Sequence, residues 1–228
     1  MGPCLAVMCK QPQHGRVKTR IAAELGDAVA TELYRCALAD TLALASSIGH
    51  VAHVLSYAPP TLECRRYFEQ TAPSFSLIPQ QGATLGDRIS GALAELLTIY
   101  SPVVLIGSDS PDLPADAIRH AFEALRRTDC VLGPATDGGY YLVGLNAMCL
   151  TLFERIDWST ALVCQQTLER AVEAGLQAFS LPIWHDLDTV EDLNAMVAPG
   201  APLTRAFVAT LKAKEIDENE SGDCMESR

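Results

Sequence analysis

Two stretches of this chain set carboxylates where an apolar run stops. In VVLIGSDSPDLP, residues 103–114, the apolar run is followed at once by Asp109 and Asp112, among two serines and two prolines. In HDLDTVEDL, residues 185–193, Asp186 and Asp188 stand just ahead of Thr189, a residue suited to cap a helix, with Asp192 in that helix's first turn. Hard divalent cations such as Mg2+ or Mn2+ take one or two carboxylates together with substrate phosphates. That chemistry accounts for negative charge at the end of a strand in an already acidic chain. It makes Asp109 a candidate metal ligand and the Asp186/Asp188 pair the source of a second one, brought from a distant part of the sequence. The plain alternatives are a turn-forming role for Asp109 and helix capping by Asp112 and by the 186–192 stretch.

Three further stretches carry candidate chemistry. KQPQHGRVKTR, residues 10–20, gathers Lys10, Lys18 and Arg20 around Gly15, with Thr19 between the last two cations. Cationic side chains beside loop amides and a helix start make a phosphate site, and a nucleotide is the natural owner of such phosphates; a solvated basic turn is the alternative. GPATDGGYYLVG, residues 133–144, puts Asp137 before Gly138 and Gly139, with Tyr140 next. Glycines that tolerate positive φ let a substrate approach the backbone closely, although a D-G hairpin turn explains the same pair. QQGATLGDR, residues 80–88, offers Gly86 and Arg88 in a loop suited to gripping a base or an acceptor. Other chemistries drop out: the phosphate-loop and dinucleotide glycine patterns are missing, the five His show no zinc spacing, and no G-x-S-x-G elbow marks a serine hydrolase.

These residues need a scaffold, and the hydrophobic pattern supplies one. Strands are expected at 4–9, 50–57, 75–79 and 103–107, with helices at 27–46, 62–72, 87–100 and 114–127. Strand and helix alternating at this spacing form βαβ units and a mostly parallel sheet. Ligands bind such sheets beyond the carboxyl ends of the strands, so the loops after the first, third and fourth strands should share one edge. The second half is less regular. Strands at 130–134 and 140–145 are joined by ATDGG, too short for a crossover helix, which predicts irregular or antiparallel pairing. A helix over 159–175 with Ser159 as N-cap, a strand over 177–184 and a closing helix over 189–197 complete the pattern.

The 228 residues suit one α/β domain over 1–214, followed by an acidic tail, 215–228, with six acids and one Arg, expected to be disordered. The net charge of −11 comes without a basic stripe, which argues against a nucleic-acid partner. No apolar stretch approaches the roughly 20 residues that span a bilayer. The eight Cys include no C-x-x-C pair and sit mostly within apolar stretches, the pattern of reduced thiols in a soluble cytoplasmic protein.

Together K-x-P-x-x-G-x-V-K-T-R, G-S-D-S-P-D-L-P, G-P-x-x-D-G-G-Y-Y-L-x-G and W-S-T, at residues 10–20, 107–114, 133–144 and 158–160, resemble the bacterial GT-A-like glycosyltransferases also described as radical-SAM/selenodomain-associated transferases. The first motif is also similar to phospholactate guanylyltransferase, and DLDTVEDL resembles an element of sugar-nucleotide-forming transferases. The resemblance implies a GT-A-like, Rossmann-related three-layer α/β fold of the nucleotide-diphospho-sugar transferase type. It implies that Asp109 and Asp188 hold the divalent metal and that Lys10, Lys18 and Arg20 grip the nucleotide phosphates. The expected activity is Mg-dependent transfer from a nucleotide-activated substrate, either glycosyl transfer from a nucleotide sugar or nucleotidyl transfer from an NTP to a small phosphorylated acceptor. Lys18, Asp109 and Asp137 are the expected catalytic groups, with Gly15, Thr19, Gly86 and Arg88 at the nucleotide and Gly138, Gly139 and Tyr140 at the substrate. A catalytically inactive nucleotide-binding scaffold or sensor is the alternative, and a homodimer is compatible with either.

Overall fold

The computed structural model describes residues 1–195 and 200–223. CLAVMC is apolar on both faces, as a strand covered on both sides must be, and β1 (Cys4–Lys10) runs through the middle of the sheet. Beside it lie β2 (Ala52–Ala58) and β4 (Val103–Ile106), with β3 (Ser76–Pro79) outside β2; the four are parallel. The connections are helical: α1 (Thr19–Leu25) and α2 (Asp27–Ser46) after β1, α3 (Leu62–Thr71) after β2, α4 (Leu85–Leu96) after β3 and α5 (Ala115–Ala124) after β4. The apolar stripe read in the sequence is the face α2 buries, through Ala30, Leu33, Tyr34, Ala37, Leu38 and Ala45. Thr84 and Asp87 cap α4 reciprocally, which starts that helix two residues earlier than its apolar stripe alone predicts.

The pattern then changes. β5 (Cys130–Pro134) and β6 (Tyr140–Leu145) pair antiparallel with an irregularity at Gly133/Pro134, as the short ATDGG link requires. β6 inserts between β4 and β5 and opposes both. A 3-10 turn (Leu150–Phe153), α6 (Val163–Glu173), β7 (Ala178–Ser180), α7 (Val190–Ala195) and α8 (Pro202–Asp223) follow. Among the described residues the sheet has seven strands in the order β3-β2-β1-β4-β6-β5-β7. One apolar cluster lies on each face, around Phe68, Leu55 and Ile118 on one and around Leu93, Leu132 and Leu152 on the other. Cys4, Cys9, Cys64, Cys130 and Cys164 are buried free thiols. Among the described residues no helix is long and apolar enough to cross a membrane.

Three local expectations meet a different outcome, and one helix was not expected. α6 begins at Val163, and Ser159 sits upstream in a loop at φ 65°, because Thr160 bonds the Asp157 carbonyl and the Leu162 amide and holds 157–162 out of the helix. Asp112 does not cap α5, whose N-cap position is Pro114; it turns inward instead. α8 was hidden in the sequence. It packs on α2, whose buried Asp40 accepts from the Leu203 and Thr204 amides and the Thr204 hydroxyl at 3.2, 2.8 and 2.7 Å. That helix runs to Asp223, through part of the stretch expected to be disordered, since each residue added to an already formed helix gains a hydrogen bond. Residues 196–197 of the closing helix and 224–228 of the tail lie outside the described residues.

Candidate active site

Strand directions decide which loops meet. Because β6 opposes β4, the start of β6 lies at the end of β4: Ile106 pairs with Leu142, and the Gly107 amide donates to the Tyr141 carbonyl at 3.1 Å. The Asp137 turn therefore opens on the same edge as Asp109. β7 runs parallel to β5, and both run the way of β4. Trp184, beyond β7, is held by the Pro134 carbonyl and by the Thr136 amide at 3.0 and 2.9 Å, which delivers residues 185–188 to that edge too.

The β4 loop and the 184–188 segment are then stitched residue by residue. The Leu187 amide donates to the Asp109 carbonyl at 2.7 Å. The Ser110 hydroxyl donates to Asp186 at 2.6 Å. Asp112, 3% exposed, accepts from Trp184 Nε1 at 3.2 Å and pairs with His185 Nε2 at 3.1 Å. Leu187 is buried with Ile21 and Leu33, and residues that alternate along an extended chain face opposite ways, so its burial turns Asp186 and Asp188 toward the cleft. Asp192 accepts from the amides of Asp188 and Thr189 while Thr189 caps in return, the expected helix start.

At the centre is Lys18. Its ammonium bonds Asp109 and lies 3.1 Å from Asp188, with its side chain 2% exposed against half-exposed carboxylates. Lys18 stands at the N-cap position of α1 in left-handed backbone, φ 46°, a conformation costly for a branched or bulky side chain and uncommon for any but Gly. Desolvation pushes its pKa down, and the two carboxylates more than offset it, leaving it above the ordinary lysine value. At Asp109 desolvation pushes up and Lys18 wins, holding the carboxyl below the usual range. Among the described residues no cation pairs with Asp186. Desolvation raises it to about 6, opposed by the Ser110 bond and reinforced by Asp109, Asp137 and Asp188.

These groups border a cleft of about 650 Å³. Lys10, Lys18, Arg20 and Arg88 line it, as do Asp109, Asp137 and Asp188 and, beside them, Gly139 and Tyr140. The other expected contacts lie elsewhere. Gly15 makes a turn at φ 68° beside Asp27, and Thr19 opens α1 on the exposed side. A Cβ on Gly86 would stand 2.3 Å from the Trp158 indole, and one on Gly138 would stand 2.2 Å from the Ala161 carbonyl, so both glycines serve packing of the cleft wall. Asp137 spends one oxygen on the Gly139 amide at 2.8 Å. Among the described residues no three His, Cys, Asp or Glu close around one point as a metal cage.

Several contributors were not singled out from sequence. The Tyr34 hydroxyl accepts from the Lys10 amide and bonds Ser108, each at 2.9 Å, which ties α2 to two of the edge loops. Buried Gln80 donates to the carbonyls of Cys9 and Ser56 at 3.0 and 2.8 Å. Leu187 had one visible signal, an apolar residue between two aspartates; Tyr34 showed only as part of the α2 apolar stripe and Gln80 only as the start of the 80–88 loop.

The family described as an uncharacterized protein conserved in bacteria, DUF2064, matches residues 41–160. No curated protein matches the sequence. Among solved structures, a protein of Desulfovibrio desulfuricans G20 provisionally described as a nucleotide-diphospho-sugar transferase is 33% identical, with a TM-score of 0.83 over 91% of this chain and 97% of that one. The inositol-1-phosphate CTP transferase of T. maritima shares the fold at 15% identity and a TM-score of 0.58, covering 89% of this chain and 95% of that one. So does Rv0371C of Mycobacterium tuberculosis H37Rv, in a complex with manganese, at 14% identity and a TM-score of 0.54, covering 86% and 98%. With a nucleotide-diphospho-sugar transferase fold, a family match over residues 41–160 and 33% identity to a relative of nearly its own length, the chain belongs to the DUF2064 family.

Proposed function

We propose that this protein transfers a group from a nucleotide-activated donor, with a nucleotide sugar as the donor. The observation that carries the reading is the meeting of Asp109 and Asp188 on one cation at the carboxyl edge of the sheet, beside Lys10 and Arg20. The 33% identical relative described as a nucleotide-diphospho-sugar transferase supports the same donor class. Lys10, Arg20 and Arg88 offer cations to a diphosphate at the head of the cleft. Asp137, exposed on its turn, is the group positioned to take a proton from an attacking acceptor.

The donor set fits Mg2+ or Mn2+: two half-exposed carboxylates, oxygen only, and a shell the protein leaves incomplete so that phosphate oxygens can finish it. Asp109 and Asp188 would hold the ion, which supplies neutralisation of the diphosphate charge. Lys18 then stands behind the carboxylates as their fixed counter-ion, able to reach phosphate only by leaving them.

Product analysis tests the reading. Incubation with UDP-, GDP-, CDP- and TDP-sugars should release the nucleoside diphosphate in a Mg2+-dependent way. Pyrophosphate release from a bare NTP would favour nucleotidyl transfer instead. Metal-dependent nucleotide binding without turnover would favour a sensor or scaffold.

A further inference from the structure

The cleft is divided by charge. Its cations, Lys10, Lys18, Arg20 and Arg88, all come from the first half of the chain. Beyond residue 100 the wall brings Asp109, Asp137, Asp186 and Asp188, and among the described residues no Lys, Arg or His from that part lines it. A donor whose diphosphate sits on Lys10, Arg20 and Arg88 leaves the acceptor facing this acidic wall. Lys18 pairs with Asp109 and Asp188, but a phosphate monoester beside Asp137 and Asp186 would meet like charge at close range, with no ion pair at either among the described residues. A divalent ion on Asp109 and Asp188 would answer two of the four carboxylates and leave Asp137 and Asp186 in place. The rest of that wall is aromatic and hydroxylic: Tyr140 and Trp158 meet edge to face at 6.4 Å, and Ser159 follows. Aromatic faces and carboxylates suit the C–H faces and hydroxyls of a polyol, or an amine.

We infer that the acceptor carries neither phosphate nor carboxylate and attacks through a hydroxyl or amine. The inference rests on the nucleotide-sugar reading. In the step it describes, the acceptor oxygen or nitrogen bonds the anomeric carbon of the sugar. The bond from that carbon to the terminal phosphate oxygen breaks, the nucleoside diphosphate leaves with the electron pair, and the acceptor proton passes to Asp137.

The test uses the full chain and begins with thermal shift against UDP, GDP, CDP and TDP. If none binds, the donor reading itself falls, and this inference with it. With the binding nucleotide saturating, glycerol 3-phosphate is titrated calorimetrically. The wild type should show no binding in the millimolar range, whereas Asp137→Lys, on an exposed turn, or the milder Asp186→Asn should gain at least about tenfold in affinity. Wild-type binding of glycerol 3-phosphate as tight as that of the variants overturns the inference. With a nucleotide-sugar donor, nucleoside diphosphate release should be at least about tenfold faster with glycerol or ethanolamine than with glycerol 3-phosphate or phosphoethanolamine. Faster release with the phosphorylated members overturns it too.

Discussion

The first four strands and the last three reach the same edge of the sheet by different means. β1 to β4 are parallel, joined by helices with clear apolar stripes, and their loops arrive at the carboxyl edge because parallel topology leaves no other place for them. β5 to β7 arrive through an antiparallel strand, a shift in register and a nearly strandless run from Leu181 to Asp188. The first part contributes the cations and Asp109, the last part contributes Asp137, Asp186 and Asp188, and the 184–188 segment is tied to the β4 loop by long-range bonds: Leu187 to Asp109, Asp186 to Ser110, and Trp184 and His185 to Asp112. A regular half positions its groups through its backbone. An irregular half positions them through a few specific long-range contacts, and that is where single substitutions should act most strongly.

The sharpest way to break the comparison is at Leu187. It is 1% exposed, and its burial aims both neighbouring aspartates. Leu187→Ala should cost about 3 kcal/mol of stability, within the range for core Leu→Ala changes, and should lower nucleotide-dependent activity as the Asp188 side drifts from Asp109. Urea unfolding checks the first, and a loss under about 1 kcal/mol would place Leu187 outside the core that anchors the loop.

Lys18 joins the two halves. Lys18→Met leaves two facing carboxylates without their cation, and should cost about 2 kcal/mol, less than the 3–5 of a fully buried pair because both carboxylates are half exposed to solvent. An unchanged urea midpoint would mean that Asp109 and Asp188 do not depend on that ammonium.

Arg20 should separate binding from folding. It lines the cleft on the exposed side of α1, so Arg20→Ala should leave the melting temperature alone while weakening nucleotide binding by about 1.5–3 kcal/mol, the range for charge-assisted hydrogen bonds. Equal nucleotide affinity in the two proteins would return the KTR segment to a solvated turn.

Much of this architecture was legible from periodicity. The helix expected over 27–46 is α2, and the parallel half follows from strand–helix alternation. The convergence of Asp109 and Asp188 was legible from one premise, that the strand before HDLD runs parallel to β4, and it does so across two antiparallel partners. What could not be read was the tertiary bonding. Asp112 has the spacing of a helix cap, yet its buried carboxylate is taken up by the Trp184 indole N–H and by His185 instead. Gly86 and Gly138 have the composition of ligand loops, and that Trp158 and Ala161 pack where a Cβ would stand is visible only in the structure. Lys18 has the spacing of a phosphate grip, while its place between two carboxylates depends on a contact far across the chain. α8 went unread because its anchor, Asp40, lies on another helix.

The central claim is that Asp109 and Asp188 act together in a nucleotide site that takes a divalent ion. The most direct measurement is thermal stability of the wild type, Asp109→Asn and Asp188→Asn, each with and without Mg2+ and a nucleotide sugar. With ligand at a hundred times its Kd the wild type should gain about 2.7 kcal/mol, and each variant, folded on its own, should lose the Mg2+-dependent part of that gain. Folded variants that keep the full Mg2+-dependent gain would contradict the claim.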